Sequence, residues 1–122
     1  MKEEENLIGN AEERLSTAKL LLENEKYGDA VSRAYYSMFN ASKAILLTED
    51  SKPRTHQGVN SELGKLFRER IDKELLREFS RIQQIREDVD YGTETKISQK
   101  ESEEKIEIAE EFLIQAKKIV EK

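Results

Sequence analysis

The sequence has no cysteine, no tryptophan, one histidine and one proline among its 122 residues. Without cysteine, it cannot form disulfide bonds, thiolate metal sites or cysteine nucleophiles. A single histidine likewise excludes a histidine-rich metal site. No phosphate-binding loop, dinucleotide fingerprint or nucleophile elbow occurs, so the sequence predicts no cofactor.

Long apolar runs are also missing, and no stretch approaches the length of a membrane span. The first residues, Met1 to Asn6, are acidic where a signal peptide would be basic and then apolar. We therefore expect a cytoplasmic protein with no membrane partner. The net charge of −5 argues against a general nucleic-acid coat protein but leaves room for a local basic site.

Charged residues, by contrast, are abundant at 39%, beside 36% hydrophobic residues and only five glycines. This composition is typical of long solvated helices and not of a β-rich fold. The length supports one domain over 1–122 with a single modest core. The predicted fold class is all-α.

Apolar residues recur at spacings of three and four, which predicts an antiparallel bundle of four long helices plus one short helix. Gly28 is predicted to permit the first turn with Asp29 as the following cap, Gly92 to end the fourth helix, and Ser98 to cap the last. The predicted helices cover Glu3 to about Glu25, Asp29 to Thr48, a short segment between His56 and Phe67, Asp72 to Gly92, and Ser98 to Lys122.

The second helix is the most apolar and is predicted to be the central one. Small residues on it would let neighbouring helices approach closely. Tyr35 is predicted to pack in an ordinary half-buried position. The opposite face carries Tyr36, Arg33 and Asn40. Packing of the predicted helices does not require this face, and we predict an interface there.

The fourth helix carries a charge where an apolar residue is due. At about 100° per residue, Leu75, Phe79 and Ile82 form one apolar stripe, and Arg86 lies inside it. Asp90 follows one turn later. A desolvated guanidinium is costly unless it is paired. The pair is therefore either a structural bridge at the rim of the core or part of a functional site.

The single histidine, His56, follows a polar loop that contains the only proline, Pro53. It is either a capping or surface histidine or a titratable group that meets phosphate beside Lys52 and Arg54. Sequence spacing alone leaves both readings open.

Three segments together resemble the HEPN superfamily, specifically its small stand-alone members. These are the second-helix run from Ser32 to Leu46, the stretch Thr55 to Val59, and Arg86 to Gly92. The resemblance covers nearly the whole chain. It implies a helical bundle that forms a homodimer in which the fourth-helix motifs face each other. Two Arg86 side chains would then line a shared cleft, and a symmetry mate would receive the charge instead of a hydrophobic interior.

Many proteins of that superfamily are metal-independent RNA endonucleases or toxins, encoded beside a minimal nucleotidyltransferase that acts as antitoxin. Their motif is an arginine, then four to six residues, then a histidine, whereas here Arg86 is followed by Asp90 and Tyr91 where the histidine would be expected. The resemblance implies Arg86 as phosphate ligand and Asp90, Tyr91 and His56 as proton-transfer groups. In related toxins a tyrosine near the motif receives nucleotide groups. The alternative function is a non-catalytic dimeric module that binds a nucleotidyltransferase or a nucleotide.

Overall fold

The structure, a computed structural model, describes residues 2–92 and 96–121. The middle of the predicted loop after Gly92, at 93–95, and Lys122, the predicted end of the last helix, lie outside the described residues. The described part of the chain is an all-α bundle, which confirms the predicted fold class. Its helices are α1 (Glu3–Glu23), α2 (Tyr27–Leu47), the short α3 (His56–Leu66), α4 (Lys73–Asp90) and α5 (Gln99–Val120).

Helix α2 is the centre of the bundle, as predicted, because it packs against α1, α3, α4 and α5. Its small residues are fully buried, and Ser37 Oγ donates a hydrogen bond to the Ala11 carbonyl of α1 at 2.8 Å. A side chain of this size lets two helix backbones come close while its hydroxyl remains satisfied.

The connection between α1 and α2 differs from the prediction. Glu25 takes the left-handed conformation (φ 61°), and the Lys26 N–H donates to the Leu21 carbonyl. This is a Schellman ending, which needs no glycine when a residue accepts the strain. Helix α2 therefore begins before Gly28, and Asp29 lies in its first turn instead of capping it.

The predicted ends at Asp72, Gly92 and Ser98 agree with the structure. Ser98 accepts a hydrogen bond from the Glu101 N–H at 3.1 Å, and Asp72 accepts one from the Glu74 N–H at 2.8 Å. Gly92 has φ 69° directly after α4, a conformation that glycine adopts at little cost. Among the described helices, none is long and apolar enough to cross a membrane.

A buried carboxylate ties α4 to α5. Glu78 is 10% exposed at its side chain and lies 2.9 Å from Lys105 Nζ and 2.5 Å from Arg81 Nη1. Burial alone would raise the pKa of Glu78, but the hydrogen bonds from Lys105 and Arg81 outweigh it and lower that pKa.

Replacing Glu78 by Gln is expected to reduce the free energy of unfolding by about 2 kcal/mol at pH 7, because Lys105 loses its buried counter-charge. The pKa of Glu78 is lower in the folded protein than in the unfolded chain, so this stabilisation is fully present above the ordinary carboxyl pKa. It is lost as the pH falls through the lower pKa of the folded protein. Urea denaturation at pH 7 and near pH 3 should show the difference shrinking in acid. Glu13→Gln, at an exposed position, is the control; an equal effect there would contradict the prediction.

Candidate functional site

Arg86 lies where the periodicity placed it, on the packing side of α4, with its side chain only 11% exposed. Its guanidinium carbon is 5.1 Å from the centre of the Tyr35 ring and 5.7 Å from that of Tyr36. Its Nε is buried and has no hydrogen-bond partner in the part of the chain that the structure describes. Aromatic rings of the same chain therefore stabilise part of the positive charge of Arg86, which we expected a second copy of the chain to stabilise.

The predicted pair between Arg86 and Asp90 is present, at 3.4 Å between Nη1 and Oδ2. The other carboxylate oxygen of Asp90 accepts a hydrogen bond from Ser32 Oγ of α2 at 2.9 Å. Each oxygen of Asp90 therefore has a partner. The carboxylate joins α2 to the end of α4 and orients the guanidinium.

His56 is the first residue of α3, and the fold brings it to the same tyrosine as Arg86. Its Nδ1 lies 2.5 Å from Tyr35 Oη, and its ring stacks on Phe39 with 4.2 Å between centres. Thr55, not His56, caps α3 by accepting from the Gly58 N–H. The reading of His56 as a capping or surface residue is therefore wrong, because the ring is half-buried among aromatics.

The surroundings favour a neutral imidazole. Burial lowers the pKa of His56, and the positive charges of Arg86 and Lys43 lower it further, while Glu87 opposes them. Burial raises the pKa of Tyr35, and the nearby Arg86 only partly offsets this. Tyr35 therefore stays protonated, and its hydroxyl gives His56 a neutral partner that can donate or accept.

Two open grooves flank Arg86. The first, which we call the Asp90 groove, lies beside α2 and the end of α4, and its lining includes Ser32, Tyr36 and Asp90. The second lies between α3 and α4 and begins at His56 and Glu87. Arg86 contacts residues of both, since Glu87 Oε1 is 3.9 Å from its Nη2.

The remaining predicted site residues lie around this cluster. Tyr91 follows Asp90 and is 80% exposed. Arg33 is exposed on α2 and lines the Asp90 groove, and Asn40 is half-buried and donates to the Tyr36 carbonyl at 2.9 Å. Tyr36 is also half-buried and covers part of Arg86. This face of α2 therefore takes a larger part in packing within the chain than the sequence indicated.

Sequence reasoning did not assign a site role to Ser32, Tyr35, Phe39 or Glu87. Their spacing on α2 and α4 is ordinary for core or surface positions, and only the packing of α2, α3 and α4 against one another reveals them. The signal that could have found them is the aromatic density of α2 next to an arginine on an apolar stripe. Across the described residues, no three His, Asp or Glu side chains are grouped as metal ligands.

The pKa of His56 can be measured directly because the chain has one histidine. We expect its NMR titration midpoint to lie below the ordinary value of 6.5. Arg86→Gln should raise the midpoint, since it removes a positive charge that disfavours the imidazolium. Arg77→Gln, which removes an exposed cation of the same helix, is the control. A wild-type midpoint at or above 6.5, or no response to Arg86→Gln, would refute the arrangement.

Comparison with known proteins agrees with this architecture. The model of the HEPN domain family matches residues 4–119. A Methanocaldococcus jannaschii protein named "Putative toxin" is 41% identical over 92% of this chain and 84% of its own length. A second protein of that organism with the same description is 36% identical over 96% of this chain and 81% of its own. A Thermotoga maritima protein named UPF0332 protein is 33% identical over 99% and 96%, respectively. The chain therefore belongs to the HEPN domain family.

Proposed function

We propose that the protein is a toxin-type endoribonuclease that cleaves single-stranded RNA without a metal ion, with its site around Arg86 and His56. The observation that carries the proposal is that His56 of α3 and Arg86 of α4 both contact Tyr35. The fold thus supplies a histidine beside the motif arginine although the motif itself lacks one. The names of the two Methanocaldococcus relatives support the toxin class.

Arg86 binds the scissile phosphate in this mechanism. Its fixed fork matches two phosphate oxygens, and a guanidinium held on tyrosine rings is already oriented and partly desolvated. Asp90 and Ser32 keep it in place from one side. Positive charge placed where the pentacoordinate phosphorus gains charge lowers the barrier without reorganisation of solvent.

His56 transfers the proton. Its Nε2 takes the proton of the ribose 2′-hydroxyl while Nδ1–H donates to Tyr35 Oη, the role that a positioned base requires. The 2′ oxygen then bonds to phosphorus, and the bond from phosphorus to the 5′ oxygen breaks. The imidazolium returns the proton to that leaving oxygen. The products are a 2′,3′-cyclic phosphate and a 5′-hydroxyl.

Asp90 is better suited to position Arg86 than to act as the base, since both of its oxygens are engaged. Lys43 supplies local positive charge, although the net charge of the chain is negative. It lies 5.5 Å from the centre of Phe39, the ring on which His56 stacks, and it lines a depression shared with Lys52. These lysines give the RNA backbone a contact beyond the reacting phosphate.

The proposal includes a homodimer in which the Asp90 grooves of the two subunits face each other. Arg33, Tyr36 and Asn40 would lie at the interface. Support comes from the open, partly aromatic lining of the groove and from the buried Arg86 Nε, which has no hydrogen-bond partner among the described residues. A minimal nucleotidyltransferase is the proposed antitoxin.

A second candidate function is a non-catalytic module for that nucleotidyltransferase. The observation favouring it is Tyr91, whose 80% exposed side chain lies next to Asp90 and is accessible to a partner enzyme. In that case the contacts of Arg86 shape an interface, and no RNA is cleaved.

The two functions are separated by incubating purified protein with unstructured RNA in EDTA and analysing the product ends. The cleavage function predicts fragments ending in 2′,3′-cyclic phosphate, and light scattering should give twice the mass of the chain. Intact RNA, together with co-purification of a nucleotidyltransferase, would favour the module. A monomer that cleaves RNA at full rate would refute the dimer alone.

A further inference from the structure

The groove between α3 and α4 leads away from His56 and has an unusual lining for so charged a chain. Apart from His56 and Glu87 at its end, it is lined by uncharged polar side chains, which we call the amide groove: Gln57, Asn60, Ser80, Gln83 and Gln84. The helices place them face to face, because Gln57 and Asn60 are one turn apart on α3 and Ser80, Gln83 and Gln84 share a face of α4.

We propose that the amide groove binds a nucleobase of the RNA strand whose phosphate lies on Arg86, and that it prefers an amino-bearing base to uracil. This inference rests on the proposed function. It goes further by assigning base recognition to residues that take no part in the chemistry.

The lining fits a base better than a phosphate. Among the described residues, no lysine or arginine lines the groove, although charged residues make up 39% of the chain. Amide side chains each offer both donors and an acceptor, which match the edges of an unpaired base. Phosphates, in contrast, are bound mainly by cations and backbone N–H groups. The amide groove is therefore suited to the base of a nucleotide, and Arg86 to its phosphate.

Two side chains bridge the walls. Asn60 Nδ2 donates to Gln83 Oε1 across the groove. This bond fixes both amides and leaves the Asn60 oxygen and the Gln83 amino group for a ligand. A paired acceptor and donor is the arrangement by which Asn and Gln recognise adenine.

Glu87 supplies the discrimination. Its carboxylate lies at the end of the groove beside His56 and can only accept hydrogen bonds at neutral pH. It would accept from the amino group of adenine or cytosine, but it would face a carbonyl oxygen of uracil. When two hydrogen-bond acceptors face each other with no hydrogen between them, binding is weaker. Uracil is therefore the disfavoured base.

The test uses 2′-O-methyl hexanucleotides of adenine or uracil, which cannot be cleaved because the attacking hydroxyl is blocked. Affinities are measured by fluorescence anisotropy in EDTA at one ionic strength. We expect the wild type to bind the adenine oligomer about tenfold more tightly. Gln83→Met, which keeps the size and removes the amide, should lower the ratio about threefold, while the part of the preference that comes from Glu87 remains. The double variant Gln57→Ala with Gln84→Ala, at exposed positions, should also reduce it.

Gln99→Ala, which removes an exposed amide at the start of α5, is the matched control and should keep the wild-type ratio. Thermal unfolding of each variant shows whether it is folded. A wild-type ratio near one, or a ratio unchanged in both groove variants, would overturn the base subsite while leaving the cleavage proposal intact. Failure of the wild type to bind either oligomer would overturn both.

Discussion

Arg86→Ala is expected to lower the rate of RNA cleavage about a thousandfold, the largest expected effect, because in the proposed mechanism Arg86 stabilises charge on the phosphate. Arg86→Lys should recover only a small part of the rate. A lysine keeps the charge but lacks the planar fork and the stacking on Tyr35 and Tyr36. Single-turnover rates on a fluorescent RNA, measured in EDTA, give the comparison.

The control for this experiment is Arg77→Ala, which removes an exposed arginine of the same helix. It should cleave at the wild-type rate, so that a general loss of positive charge is separated from the loss of the site. Circular dichroism and light scattering show whether Arg86→Ala is folded and has the same mass in solution as the wild type. Cleavage by a folded Arg86→Ala variant within a few-fold of the wild type would refute the assignment of Arg86.

His56→Gln is expected to lower the cleavage rate by a factor of about one hundred to one thousand, the usual range for removal of a general base. Glutamine can still hydrogen-bond to Tyr35 Oη but lacks the ring that stacks on Phe39, so thermal unfolding of the variant is measured alongside its activity. A folded variant that cleaves as fast as the wild type would exclude His56 from the reaction.

The pH profile gives a second readout for the same residue. The lowered pKa of His56 means that the base form accumulates below the usual pH for histidine. The wild-type rate should therefore rise with pH up to a point below 6.5 and stay constant above it, and His56→Gln should lack this rise. Tyr35→Phe keeps the ring beside Arg86 but removes the hydroxyl, so it should change the position of the rise and reduce the rate less than His56→Gln.

The helices and the place of Arg86 followed from short-range patterns. Spacings of three and four residues gave the apolar stripe of α4, and the charge inside it was visible without coordinates. The Ser98 cap and the turn at Gly92 were also predicted, because each depends on one side chain and its nearest backbone groups. The start of α2 was missed because Glu25 adopts the left-handed conformation usually taken by glycine.

The buried ion pair of Glu78 shows the limit of such patterns. On α4 alone, Glu78 and Arg81 are a turn apart and resemble an exposed pair. Lys105 comes from α5, and its approach turns a surface carboxylate into a buried one. A periodicity calculation sees one helix at a time, so it cannot report which charge a neighbouring helix brings.

By itself, the sequence determined an all-α bundle with a guanidinium on its packing face, since helix formation and amphipathicity depend on residues close together in the chain. Only the tertiary structure decided what surrounds that guanidinium. His56 is thirty residues before Arg86 in sequence, and Tyr35 lies on a third helix between their side chains. Their meeting depends on how α3 packs against α2 and α4, and no spacing within one helix encodes that distance.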